Sequence, residues 1–206
     1  MRRILLILVI LLSISCKKEQ VQLPKSDTTI LKDIKDHSPV YMFFRVNEKD
    51  TVIEVNRQNT ISSTNWIYNI DKRLPLKLVI PEIIKLQEKK KNSSHKKEGA
   101  IDVFSYADSI GNNLAFFPFT KLQFKVKKPV NGIELYLNKK NEIFVNGKLL
   151  PQNSIEKYLE DEVEVSELSK IYIAVDENAS FNLLLKTLIE VEMLEIKMRY
   201  KEIYIY

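Results

Sequence analysis

A single cysteine in 206 residues leaves no partner for an internal disulfide and no thiolate set to hold a metal. Four glycines are too few for a Gly-rich phosphate loop, and no Gly-x-Ser-x-Gly elbow occurs. The two histidines, His37 and His95, stand in no metal-ligand spacing and read as surface residues. Charge of one sign is also scarce. The formal balance is +5, but Arg2 and Arg3 belong to a segment read below as removable, and the rest is too even to imply a nucleic-acid partner. No apolar run reaches the ~20 residues that span a bilayer comfortably. These shortages leave no catalytic constellation, metal or cofactor to expect, and the chain reads as a non-enzyme. What it has in quantity is hydrophobic residues, 45%, with nine Tyr and nine Phe, which is the composition of a folded chain.

The N-terminus carries an address. Arg2-Arg3, the apolar run 4–12 and Ser13-Ile14-Ser15 have the order of a secretory signal, and Cys16 follows directly. Leu12-Ser13-Ile14-Ser15-Cys16 resembles the lipobox of bacterial lipoproteins, which implies cleavage after residue 15 and a lipid on Cys16. More than one acyl chain would anchor the protein stably. The expected location is therefore the cell envelope, facing the periplasm or the outside, with the membrane contacted through this lipid. Residues 16–39 are polar and mixed in charge, with a weak pattern at Ile30, Leu31 and Ile34; they read as a tether with a short helical turn.

The last 75 residues or so are the most legible. Ile133-Glu134-Leu135-Tyr136-Leu137 alternates, a polar turn follows, and Ile143-Phe144-Val145 ends at Asn146-Gly147; this is hairpin grammar. Asn153 and Glu156 have capping-box spacing for a helix. Ile171-Tyr172-Ile173-Ala174-Val175 is a buried-strand run stopping at Asp176, and from Ser180 a longer helix carries Phe181, Leu184, Leu185, Leu188 and Val191 on one face. Ile203-Tyr204-Ile205-Tyr206 predicts a closing strand, so the order is ββαβαβ.

The first half looks like a looser copy. Val40–Val46 and Thr51–Val55 predict another hairpin; Val103-Phe104-Ser105-Tyr106-Ala107-Asp108 parallels the run ending at Asp176. Asn113-Leu114 then parallels Asn182-Leu183, and Lys121–Val126 parallels Lys201–Tyr206. Between them Trp66–Lys91 reads as an insertion with a helix starting at Pro81, followed by a basic run, 89–99, read as a solvated loop rather than a phosphate-binding patch. Pro118 is expected to stunt the copy's second helix. The whole predicts a tandem duplication.

Asp108 and Asp176 are the candidate site residues, each after a buried strand, where a carboxylate either binds a ligand or caps the following helix; capping is the simpler role. The acidic run Glu160-Asp161-Glu162 and Glu164 reads as a solvated helix end, and Trp66 as a partly buried anchor. Tyr41, Phe43, Phe44, Phe116, Phe117 and Phe119 are assigned to the core.

Glu142-Ile143-Phe144-Val145-Asn146-Gly147-Lys148, the helix from Asn153, the strand ending in Asp176 and the helix around 181–191 together resemble the periplasmic domain of the ExbD/TolR family of biopolymer-transport proteins. That resemblance implies a small dimerising ββαβαβ domain that works beside a proton-driven motor and engages an ExbB-like subunit or peptidoglycan. The family's transmembrane helix carries an acidic residue for proton movement; residues 4–15 contain none, so only the binding half carries over. The expected class is α+β: a signal peptide 1–15, the tether 16–39, and two ExbD/TolR-like units, 40–127 and 130–206, forming an intramolecular pseudo-dimer in a monomeric protein. The alternative is an envelope scaffold or exported-polymer binder unrelated to energised transport.

Overall fold

The computed structural model describes residues 20–127, 132–140, 142–151, 154, 157–158, 171–193 and 202–206. These form a mixed α/β structure of two six-stranded sheets and two helices, compatible with the α+β class. The first sheet holds β1 (Lys25–Ser26), β2 (His37–Asn47), β3 (Asp50–Asn56), β4 (Asn65–Ile70), β5 (Asp102–Asp108) and β6 (Asn113–Pro118), with α1 (Leu76–Lys91) between β4 and β5. The second holds β7 (Gln123–Lys125), β8 (Ile133–Leu137), β9 (Ile143–Val145), β10 (Lys148–Leu150), β11 (Ile171–Val175) and β12 (Glu202–Ile205), with α2 (Phe181–Met193) between β11 and β12. The expected helix from Asn153 and the acidic run after it fall largely or wholly outside the described residues, as does Cys16. No helix among the described residues is long and apolar enough to cross a membrane.

Both predicted hairpins form. β2 and β3 turn at Glu48-Lys49 in the register Asn47↔Asp50, and Glu48 takes a positive φ of 53°. Leu135 pairs with Val145 and Leu137 with Ile143, so the alternation of 133–137 puts Leu135 and Leu137 into the core. Asn146-Gly147 makes a further hairpin, because both residues adopt positive φ and Lys148 folds back on Val145 as β10.

The two halves share one pairing order. In each, the first hairpin strand lies parallel to the strand that feeds the helix, and the strand after the helix lies parallel on its far side: β3-β2-β4-β5 and β9-β8-β11-β12. The correspondence differs from the one read from sequence. Asp71, at the end of β4, takes the place of Asp176 at the end of β11, whereas Asp108 ends β5, the counterpart of β12. The segment 66–91 is therefore no insertion but the strand and helix of the first half. The misreading has a simple cause: β4, β5 and β11 are all short apolar runs followed by or ending in aspartate, and only their partners tell them apart. Asn113-Leu114 and Pro118 lie in β6, an outer strand where a missing N–H is tolerated, rather than in a stunted helix. α1 begins at Leu76, after Pro75, and Pro81 lies inside it.

The tether is also corrected over its described part. Lys25 and Ser26 pair with Ala107 and Asp108, Leu31 bridges Phe116, and Ile34 is buried with Ile67, Val103 and Phe116. Leu31 and Ile34 form no helical turn because they lie as irregular chain over the outer face of the first sheet, where alternate residues of β4 and β5 need cover, while Ile30 packs against the main core.

One core runs through both sheets and both helices, and the seam is built by backbone. Leu76 and Lys77, the first two amides of α1, donate to the carbonyls of Ala179 (2.9 Å) and Glu177 (2.7 Å). Phe181 and Asn182, the first two of α2, donate to Leu74 (2.8 Å) and Lys72 (3.2 Å). A helix start normally needs a side-chain cap for such amides. Pro75 supplies none, and the other half's carbonyls take that role about the Pro75–Ser180 bridge. The strand β7, assigned from sequence to the first unit, pairs parallel with β12 at the edge of the second sheet.

Candidate functional site

Asp108 and Asp176 are not a matched pair. Asp108 accepts from the amides of Ile110 and Gly111 (both 2.9 Å) and from the Thr29 hydroxyl (2.5 Å). It therefore organises the turn into β6, not a helix start. The Thr29 bond first, then the Gly111 amide, hold its carboxyl below the usual range against the effect of burial. A Cβ at Gly111 would meet the side-chain oxygens of Asn113 at 2.5 Å and Asp108 at 2.6 Å, so a larger residue there would have to displace them. Asp176 accepts from the amides of Asn178 (2.7 Å) and Lys139 (3.3 Å), tying the end of β11 to the β8–β9 turn. It caps the approach to α2; Ser180, whose hydroxyl faces the Leu183 amide at 3.4 Å, stands at the helix start itself.

The counterpart of Asp176 is more constrained. Asp71 is 1% exposed and receives both Nε (2.9 Å) and a terminal nitrogen (2.8 Å) of Arg73, besides the amides of Arg73 and Gln22. Burial alone would raise its pKa; the Arg73 fork and the amides outweigh that and lower it. A carboxyl lowered on folding stabilises the protein above its unfolded pKa of about 3.9 and loses that contribution as pH falls through the folded value. Asp71→Asn should therefore cost about 1–3 kcal/mol at pH 7. In urea titrations the gap from the parent chain should narrow as pH drops below ~4; a gap independent of pH would refute the assignment.

The basic run 89–99, read as a loop, is partly helix: Lys89, Lys90 and Lys91 form the last turn of α1, where cations complement the negative end of the helix. Lys90 is buried. Its ammonium lies 2.5 Å from Asp102, which is 4% exposed, and 4.9 Å from the centre of the Trp66 ring. Trp66 is buried too, its N–H donating to the Ile61 carbonyl at 2.8 Å. Sequence reasoning missed this trio because nothing local marks one lysine of three as buried. The only available signal was the helical spacing of Lys90 from Ile83 and Leu86.

Beside it opens a cleft of about 490 Å³, between the C-terminal half of α1 with its following loop and the strand β7. Ile84, Leu122 and Phe124 supply its apolar lining; Lys90, Lys91, Lys96, Lys97 and Lys125 line it with positive charge against two carboxylates, Glu88 and Asp102. Neither His37 nor His95 lines it; both are exposed, with the His37 ring nitrogen 2.7 Å from the Ile34 carbonyl. Of the aromatics assigned to the core, Phe43, Phe116, Phe117 and Phe119 are buried and Phe44 packs half-buried against it, while Tyr41 is 37% exposed. Among the described residues no group of His, Cys, Asp and Glu is placed to hold a metal ion. Comparison with protein-family models, with curated proteins and with solved structures gave no match.

Proposed function

We propose that this chain is a non-enzymatic binding module of the bacterial cell envelope, anchored by lipid at Cys16. In this reading two fused units of the ExbD/TolR kind pack as an internal pseudo-dimer and contact a transport-motor subunit or peptidoglycan. The observation that carries the reading is the seam: each half's helix start is completed by the other half's carbonyls, with a single core running through both. Such a seam gives one chain what a single-unit protein would obtain from a second copy. A short connection between the halves keeps each at high effective concentration for the other.

A second reading, an envelope scaffold or exported-polymer binder without a motor, is favoured by the lack of any acidic residue in 4–15. Crosslinked pull-down from cells separates the two: recovery of a motor subunit or wall fragments supports the first, recovery of neither the second. The shared part of both readings is tested by palmitate-analogue labelling and light scattering. The parent chain should be labelled and Cys16→Ser should not, and the protein freed of lipid should scatter as a monomer. Labelling that persists in the variant removes the anchor, and a stable homodimer removes the pseudo-dimer.

A further inference from the structure

We propose that the cleft between α1 and β7 is a binding site for an amphiphilic anion, a phosphate or carboxylate carried on an apolar ring or tail. This inference rests on the cleft alone and does not depend on the envelope address or on any family.

Three separate elements bring the charge: the end of α1 contributes Lys90 and Lys91, the loop after it Lys96 and Lys97, and β7 contributes Lys125. Lysines at the end of a helix are explained by its dipole; those converging from a loop and a strand of the other sheet are not. Internal pairing uses this charge unevenly. Lys90 is held by Asp102, Lys97 by Asp36 at 3.2 Å, and the Lys96 ammonium donates to the Lys91 carbonyl at 3.1 Å. Lys125 meets Glu202 only at 3.7 Å, and Lys91 makes no ion pair among the described residues. Two cations on opposite walls are thus left with donor capacity for an anion to fill, while Asp102 is already neutralised by the buried Lys90.

The floor selects the rest of the ligand. Leu122 and Phe124 belong to the core, and their surface facing the cleft is apolar, as is that of Ile84. A volume of about 490 Å³ lies in the range of small-ligand sites. An inorganic anion would leave that floor bare, whereas an apolar group on the anion covers it and excludes water from the charge contacts.

The test uses the full chain held in a non-ionic detergent, with naphthyl phosphate as probe and binding followed by its fluorescence. Saturable binding is expected, weakened about tenfold in Lys91→Gln/Lys125→Gln and by high salt, and unchanged in Lys49→Gln at the remote β2–β3 turn. These lysines are exposed or half-exposed, so folding should survive, which circular dichroism checks. Inorganic phosphate should bind more weakly than the probe. Displacement by phosphatidic acid in the micelle would assign the apolar part to a lipid; displacement by soluble aryl phosphates alone would assign it to a free small molecule. The proposal fails if no saturable binding is seen, if neutral naphthol binds as well as its phosphate, or if the double variant binds like the parent chain.

Discussion

Phe104→Ala is expected to remove roughly 3–5 kcal/mol of stability, enough to lower the melting temperature by about 10 °C in a chain of this size. Phe104 is fully buried in β5 and stacks on Phe119 at 3.7 Å with the rings nearly parallel, 3° apart. Its edges and face also meet Tyr68 (6.3 Å, 81°) and Phe181 (5.2 Å, 77°). Phe181 opens α2, so the cavity left by alanine would lie against the seam and loosen both halves together. Backbone held by sheet on one side and helix on the other cannot collapse far into such a hole, which places the cost toward the upper part of the range. A double-mutant cycle with Phe181→Leu should show coupling of about 0.5–1.5 kcal/mol. Phe144→Ala, on a half-buried ring tilted against Tyr136 at 6.5 Å, should cost far less. Equal effects for Phe104 and Phe144 in urea unfolding would contradict a core continuous across the seam.

The second large effect is expected from Lys90→Met, about 3–5 kcal/mol at neutral pH. The substitution keeps the aliphatic stem but leaves Asp102 without its countercharge. Burial already pushes the Asp102 carboxyl up, and Lys90 is what opposes this. Without the lysine the folded-state pKa rises further. A carboxyl raised on folding destabilises once pH exceeds its unfolded value, and fully so above its folded value, so the penalty should be largest at high pH and shrink as pH falls toward ~4. Replacing both partners, Lys90→Met with Asp102→Leu, should restore most of the loss, since an apolar pair of similar volume avoids desolvating two charges. A loss under ~1 kcal/mol for the single variant would mean that water reaches Asp102 and that the pair is a surface bridge.

Local patterns settled a good part of this molecule. The alternation in 133–137, the polar turn after it, the Asn146-Gly147 dipeptide and the apolar face of 181–191 each specify a strand, a turn or a helix by themselves. The reason is that side-chain period and permitted φ act over a few residues. The same logic produced both hairpins and the strand at the chain's end.

What no local pattern could settle was partnership. β5 and β11 look alike as strings, yet one follows a helix and the other precedes one, and only the ladder of parallel neighbours makes Asp71, not Asp108, the equivalent of Asp176. β7 reads as the last strand of its own half and is captured instead by β12, because backbone pairing carries no mark in the side chains of three residues. Residues 20–39 read as a tether because covering a sheet face asks for apolar groups at irregular intervals, not for a period. Lys90 differs from Lys89 and Lys91 in sequence only by its helical spacing from Ile83 and Leu86; the packing of α1 against Trp66 and Asp102 makes it the buried one. Composition and periodicity therefore determined which elements exist. Which ones touch was decided in three dimensions, where desolvation and hydrogen-bond satisfaction act between residues far apart in the chain.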